Sequence, residues 1–165
     1  SAEGNDVVEI CIGENQILFS HNGVELSSRL IEGQYPDYHH VVPSSYSTTV
    51  VVPKDDLVKA VKMASLFTKS GLNDVKLEIS PEKKVMEITS TNNQTGENAS
   101  KIETEIEGPA NSIILNYRYL IDGLNNLEGD KIKLKLIDGN SPCLLESADD
   151  NTGMKYIYIV MPIKV

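Results

Sequence analysis

Residues 47–71 read STTVVVPKDDLVKAVKMASLFTKSG, and the order of residue types in that stretch decides how the rest of the chain is organised. The β-branched run Ser47–Val52 predicts a strand. Pro53, Asp55 and Asp56 then signal a helix start, because proline is tolerated in a first turn and carboxylates favour the positive end of the helix dipole. Gly71 signals its end. Leu57, Ala60, Val61, Ala64 and Phe67 recur at helical spacing along one side, with Lys59, Lys62 and Lys69 on another. The same order returns downstream. SIILN (112–116) predicts a strand, and YRYLIDGLNNLEGD predicts a helix ending near Gly129. VVVPKDDLVKAV (50–61) and IILNYRYLIDGL (113–124) occupy equivalent places in two copies of one unit.

Each predicted helix is followed by three strand-like runs. VKLEIS (75–80), KVMEITS (84–90) and SKIETEIEG (100–108) follow the first, with TNNQTGENA (91–99) as a polar loop between the last two. In the third run Ile102, Thr104 and Ile106 face inward, and Lys101, Glu103, Glu105 and Glu107 outward. KIKLKLID (131–138), SPCLLES (141–147) and KYIYIVMPIKV (155–165) follow the second. The unit is therefore β-α-β-β-β, twice over. One unit leaves an apolar face bare and two together cover it. The expected fold is α+β, with two helices packed on one face of a mostly antiparallel sheet. VVEICIG (7–13) and two runs across the HNG turn (21–23) predict three further strands with no helix of their own, which fits the tail of a preceding domain.

The 165 residues carry a net charge of −9. That balance opposes retention on nucleic acid by charge neutralisation, which needs clustered lysine and arginine, although a local basic face remains compatible with it. No apolar run approaches the roughly 20 residues that cross a bilayer. SAEGNDVVEI lacks the basic and apolar regions of a signal peptide. Cys11 and Cys143 lie far apart in apolar segments without metal-ligand spacing, so two reduced, buried thiols are expected. His39 and His40 are adjacent and would point to opposite sides of an extended segment, a poor metal geometry. His21 sits at a turn. No phosphate-binding loop or nucleophile elbow is present. No metal, cofactor or catalytic residue is expected, and the chain reads as a binding or scaffolding protein.

RLIEGQYPDYHHVVP (29–43) links the early strands to the repeat. A segment that only tethers would be flexible and polar. This one is stiffened by two prolines and carries several apolar and aromatic residues. It resembles the interdomain connector of the bacterial sliding clamps, the beta subunit of DNA polymerase III. YIYIVMPIKV (156–165) resembles that family's closing strand. YRYLIDGLNNL and DGNSPCLLE resemble its last helix and the strand after it. The resemblance covers essentially the whole chain, with the motifs in family order.

That resemblance implies a processivity-clamp domain. Residues 1–34 would be the C-terminal strands of a central domain, 35–45 the connector and 46–165 the C-terminal domain. It implies a DNA sliding clamp, a cytoplasmic, non-catalytic ring that encircles duplex DNA without reading its sequence. The implied partners are double-stranded DNA, the polymerase III alpha subunit, the clamp loader, other polymerases and mismatch-repair proteins, the proteins docking through linear peptides. By position, Pro36 and Val41 line a deep pocket of the peptide groove, with Ile159 and Met161 on its floor. Asn116, Tyr119, Pro142, Pro162, Ile163 and Lys164 border the neighbouring part. His40 stands where a basic residue is common, which makes its charge pH-dependent. Lys164 stands where arginine is common and offers fewer donors. Leu66 and Phe67 match the apolar pair of the ring interface, and Lys59, Lys62 and Arg118 are the DNA-facing candidates. The family's full-length subunit is a head-to-tail homodimer. Lacking a first domain and most of a second, this chain is expected to have an incomplete groove and to close no native ring. The rival expectation is a free-standing cytosolic peptide- or ligand-binding β-rich domain unconnected with DNA.

Overall fold

The computed structural model describes residues 7–34, 37–69, 71–149 and 156–164. Contacts divide the chain into two units, Ser1–Asp37 and Tyr38–Val165.

In the first unit, strands β1 (Glu9–Ile12), β2 (Gln16–His21) and β3 (Val24–Arg29) form an antiparallel meander. The hairpin closes at Asn22 and Gly23, whose φ values of 48° and 80° suit a tight turn between right-twisted strands. Ile10, Phe19 and Leu26 stand side by side across the three strands. All of β1 is exposed, Cys11 included. This corrects the expectation of two buried thiols: no layer covers β1 among the described residues of its unit, so an apolar strand is not thereby a buried one.

The second unit holds the repeat. Its first copy runs β4 (Thr48–Pro53), α1 (Lys54–Ser65), β5 (Asp74–Ser80), β6 (Val85–Asn92), β7 (Gly96–Glu103) and β8 (Glu105–Glu107). The second runs β9 (Asn111–Asn116), α2 (Tyr117–Asn126), β10 (Lys131–Leu136), β11 (Cys143–Ser147) and β12 (Ile157–Val160). The α+β clamp-type duplication is thus observed, in two sheets ordered β12-β11-β10-β4-β8 and β7-β6-β5-β9. Every pairing in them is antiparallel. The copies exchange first strands. β4 pairs along its length with β10 of the second copy, and β9 pairs with β5 of the first.

Both helices bury their apolar stripes between the inner sheet faces. Leu57, Val61 and Ala64 of α1 and Leu120 and Leu124 of α2 are fully buried. They meet Val50, Val52, Leu77, Ile88, Ile113, Leu134 and Leu145 from the strands in one core.

Several boundaries differ from the sequence reading; α2 ends at Asn126 rather than near Gly129, and the last strand spans only Ile157–Val160. Helix α1 stops at Ser65 rather than near Gly71. Phe67 N donates to Ala64 O at 3.0 Å, and the hydroxyls of Ser65 and Thr68 bond Lys62 O and Ser65 O. Such local hydroxyl bonds take the carbonyls on which a further helical turn would build. The polar stretch 91–99 is mostly strand. Thr91 faces Glu97 and Asn92 faces Gly96, and Asn92 Oδ1 accepts from Gln94 N at 2.9 Å to close the turn. SKIETEIEG breaks at Thr104, where the chain leaves β6 as its partner and takes up β4.

Candidate peptide-binding groove

The site begins where β9 runs into α2. Asn116 is the helix N-cap, and its Oδ1 accepts from Arg118 N at 2.9 Å, satisfying a donor that a first helical turn leaves open. Tyr117 N donates to Asn73 O at 2.8 Å and fixes the helix start against the residue preceding β5. Tyr119 stands in this first turn and is 59% exposed. Arg118 Nε lies 3.4 Å from Tyr117 Oη, and that bond holds its guanidinium even more firmly protonated.

Helix α2 lies close on β12 because residue 123 is glycine. A Cβ there would sit 2.3 Å from the Tyr158 ring. Burial, and then the carboxylate of Asp122, push the Tyr158 phenol above its ordinary range. Strand β12 stops before Met161-Pro162, since proline has no N–H to continue the ladder. The tail then crosses to the other sheet, where Ile163 N donates to Ile114 O of β9 at 2.8 Å. One continuous segment therefore links the edge of the five-stranded sheet to the edge of the four-stranded sheet. Along it, Ile159, Pro162 and Ile163 are half-buried, while Met161 and Lys164 are exposed.

Pro142 belongs to the same neighbourhood. It immediately precedes Cys143, which pairs with Val160, so it comes level with Met161. The loop before it is built on Asp138, whose Oδ1 accepts from Asn140 N and Ser141 N, each at 2.8 Å. The bond from Asn140, then that from the Ser141 side chain, hold the Asp138 carboxyl below its usual range. The tail residues Ile159, Met161, Pro162 and Ile163 thus lie between Pro142 on one side and β9 on the other, with the Asn116 cap of α2 two residues beyond Ile114.

The connector contributes differently. Tyr38–His40 form a single 3-10 turn. Val41 N and Val42 N both donate to Tyr38 O, at 2.9 and 3.1 Å. His40 and Val41 are exposed, and Pro36 lies outside the described residues. Past the turn, Tyr46 rests on the outer face of the five-stranded sheet, its ring centroid 5.7 Å from Lys135 Nζ. Sequence reading assigned nothing to Tyr46 or to Leu144, the cross-strand partner of Lys135. The available signal was the unbroken CLL of residues 143–145, which ends the alternation of a strand covered on one face only.

The remaining candidates lie elsewhere. Leu66 is 69% exposed, with Phe67 half-buried beside it, just beyond α1. Lys59 and Lys62 project from α1 into solvent, Lys59 Nζ 3.8 Å from Asp56. Arg118 projects from α2. Two shallow depressions flank β7 and β8, one lined in part by Lys84, Thr104 and Lys131, the other by Ala60, Met63 and Ile102. Neither includes a groove residue. Among the described residues no group of three His, Cys, Asp or Glu side chains could hold a metal ion, and no helix is long and apolar enough to cross a membrane.

Comparison with known proteins agrees with this architecture. A family model described as the DNA polymerase III beta subunit, C-terminal domain, matches residues 39–164. The chain is 30% identical over 164 residues to the beta sliding clamp of Bacillus subtilis, covering 98% of this chain and 42% of that protein. It is 27% identical to that of a Synechocystis species, covering 100% of this chain and 42% of the relative. Among solved structures, the DNA polymerase III beta subunit of Thermotoga maritima superposes with a TM-score of 0.80 at 30% identity, over 96% of this chain and 42% of that one. A ligand-bound sliding clamp from Pseudomonas aeruginosa gives 0.83 at 25% identity, over 98% and 43%. The chain therefore spans less than half the length of the relatives it matches.

Proposed function

The chain belongs to the DNA polymerase III beta subunit family, and on that premise we propose that it forms the peptide-binding end of a DNA sliding clamp. In this reading residues 1–34 close a central domain, 35–45 connect, and 46–165 are the C-terminal domain. The whole subunit is a cytoplasmic, non-catalytic processivity factor. As a head-to-tail ring it encircles duplex DNA and raises the effective concentration of a tethered polymerase at the primer end. A topological link needs few tight phosphate contacts, which accommodates a net charge of −9. Lys59, Lys62 and Arg118 would track the phosphate backbone, and Leu66 and Phe67 would meet the next subunit.

What supports this reading is the tail bonded to β9, the strand that runs into α2. The proposed groove would combine an exposed, adaptable methionine and an exposed tyrosine with a polar tip with half-buried prolines and isoleucines, and with Lys164 near the end. Such a groove suits short peptides with apolar and aromatic side chains from the polymerase III alpha subunit, the clamp loader, other polymerases and mismatch-repair proteins. The family match does not favour the free-standing domain. Titration calorimetry with a synthetic peptide, taken from the C-terminal end of a bacterial polymerase III alpha subunit, tests the assignment. Met161→Ala and Tyr119→Ala should each weaken binding by about 1–3 kcal/mol, the scale of anchor contacts. Equal affinity for wild type and both variants would remove the groove from these residues.

A further inference from the structure

Leu144 is 4% exposed, although its neighbours Cys143 and Leu145 both point into the helix-covered core. Side chains alternate along a strand, so Leu144 faces the opposite side, and it is not part of that core. Something on the outer face covers it. Its cross-strand neighbours are Lys135 and Ile159, the latter a groove residue.

Tyr46 is the aromatic residue that lies there. Its ring stacks on Lys135, and Lys135 Nζ pairs with Glu146 at 2.7 Å. Lys135 and Glu146 keep only 27% and 24% of their side-chain surface exposed. The Tyr46 hydroxyl is itself buried, with no hydrogen-bond partner among the described residues. The backbone just beyond is pinned to both sheets. Ser47 N donates to Leu136 O at 2.8 Å, Thr48 Oγ1 donates to Pro109 O at 3.0 Å, and Asn111 Nδ2 donates to Thr48 Oγ1 at 3.2 Å. Tyr46 thus sits at a fixed end of the connector, five residues from Val41.

We propose that Tyr46 is a positioning residue of the peptide groove: its ring, seated on Lys135, the cross-strand neighbour of Leu144, holds the connector over the outer face of β11 and β12 so that Val41 stands beside Ile159. The proposal rests on the groove reading above and adds to it a residue that need not touch the peptide. Without the anchor the connector would sample other placements, and apparent affinity falls by the fraction of time the competent one is populated. The ring performs this role and the hydroxyl does not.

The test uses the full 165-residue chain and the same alpha-subunit peptide, well below the melting temperature. Tyr46→Ala should weaken binding about tenfold, as expected for a competent placement populated about a tenth of the time. It should also accelerate amide exchange at Val41 and Val42. Tyr46→Phe should keep affinity within a factor of about two of wild type, since 1.4 kcal/mol separates each tenfold step and no bond is lost. Ile88→Val, on the core face of β6, should lower the melting temperature without touching affinity, which separates positioning from general destabilisation. If Tyr46→Ala does not fold, Lys135→Ala removes the seat instead and should show the same loss. Wild-type affinity in Tyr46→Ala, or a tenfold loss in Tyr46→Phe, overturns the proposal while Met161→Ala still weakens binding. If Met161→Ala and Tyr119→Ala bind normally as well, it is the groove reading that has failed.

Discussion

A hydroxyl that loses its water without gaining a partner lowers stability, and Tyr46 carries such a group. Tyr46→Phe should therefore be neutral or stabilising by about 1 kcal/mol in a denaturant melt, and a clear loss would show that the hydroxyl is bonded after all. Gly123 makes the opposite case. Alanine is the better helix former by about 1 kcal/mol, yet a Cβ 2.3 Å from the Tyr158 ring forces helix and strand apart. Overpacking of this kind costs about 1–3 kcal/mol, so Gly123→Ala should lower the melting temperature. The cysteines differ for an equally local reason. Burial pushes the Cys143 thiol up to about 12, whereas Cys11 is exposed. One thiol per folded chain should react with a disulfide reagent at pH 8, and the second only on unfolding. The sign of the linkage follows. The folded value lies above the unfolded one near 8.5, so this contribution is fully present below that pH and is lost as pH climbs toward 12. Cys143→Ala should flatten the alkaline fall in stability.

Helix α2 depends on its cap. Asn116→Ala should cost about 1 kcal/mol of stability, the usual value of a lost N-cap. Asn116→Asp keeps the capping oxygen and discards the amide donors. Thermal melts of the two variants read the cap, and peptide titration of the Asp variant reads any part the amide plays in the groove. Element type was legible here and element ends were not. Apolar spacing placed both helices and their buried faces. The early stop of α1 depends on the hydroxyls of Ser65 and Thr68, which the apolar pattern ignores. The polar hairpin around residues 92–96 was unreadable for the same reason. Its pairing is maintained by backbone bonds to a neighbour, and its side chains carry no alternation to announce it.

The chain covers 42% of its curated relatives, and a ring built head to tail needs the surface on the far side of each subunit. Light scattering over a range of concentrations should therefore find no closed dimer of ring dimensions. Peptide affinity should also be weaker than that of the full-length Bacillus subtilis clamp measured alongside. A ring formed by this chain alone would refute the proposed division into domains. On the proposed clamp reading DNA would be held by enclosure, with exposed lysines on α1 contributing locally against a net charge of −9.

The sequence alone determined the duplicated β-α-β-β-β order, the buried helix faces and the family, because hydrophobic period, turn chemistry and spaced motifs are properties of residues in a row. The family resemblance proposed the residues of the tail and of α2 as one site. Only the tertiary structure decided that the two copies trade their first strands, that the tail bonds to β9, and that Tyr46 sits on Lys135, the cross-strand neighbour of Leu144. Each of these is a choice of partner between segments distant in the chain. Local pattern states that a strand or an apolar face needs a neighbour, and packing of the whole selects which neighbour it receives.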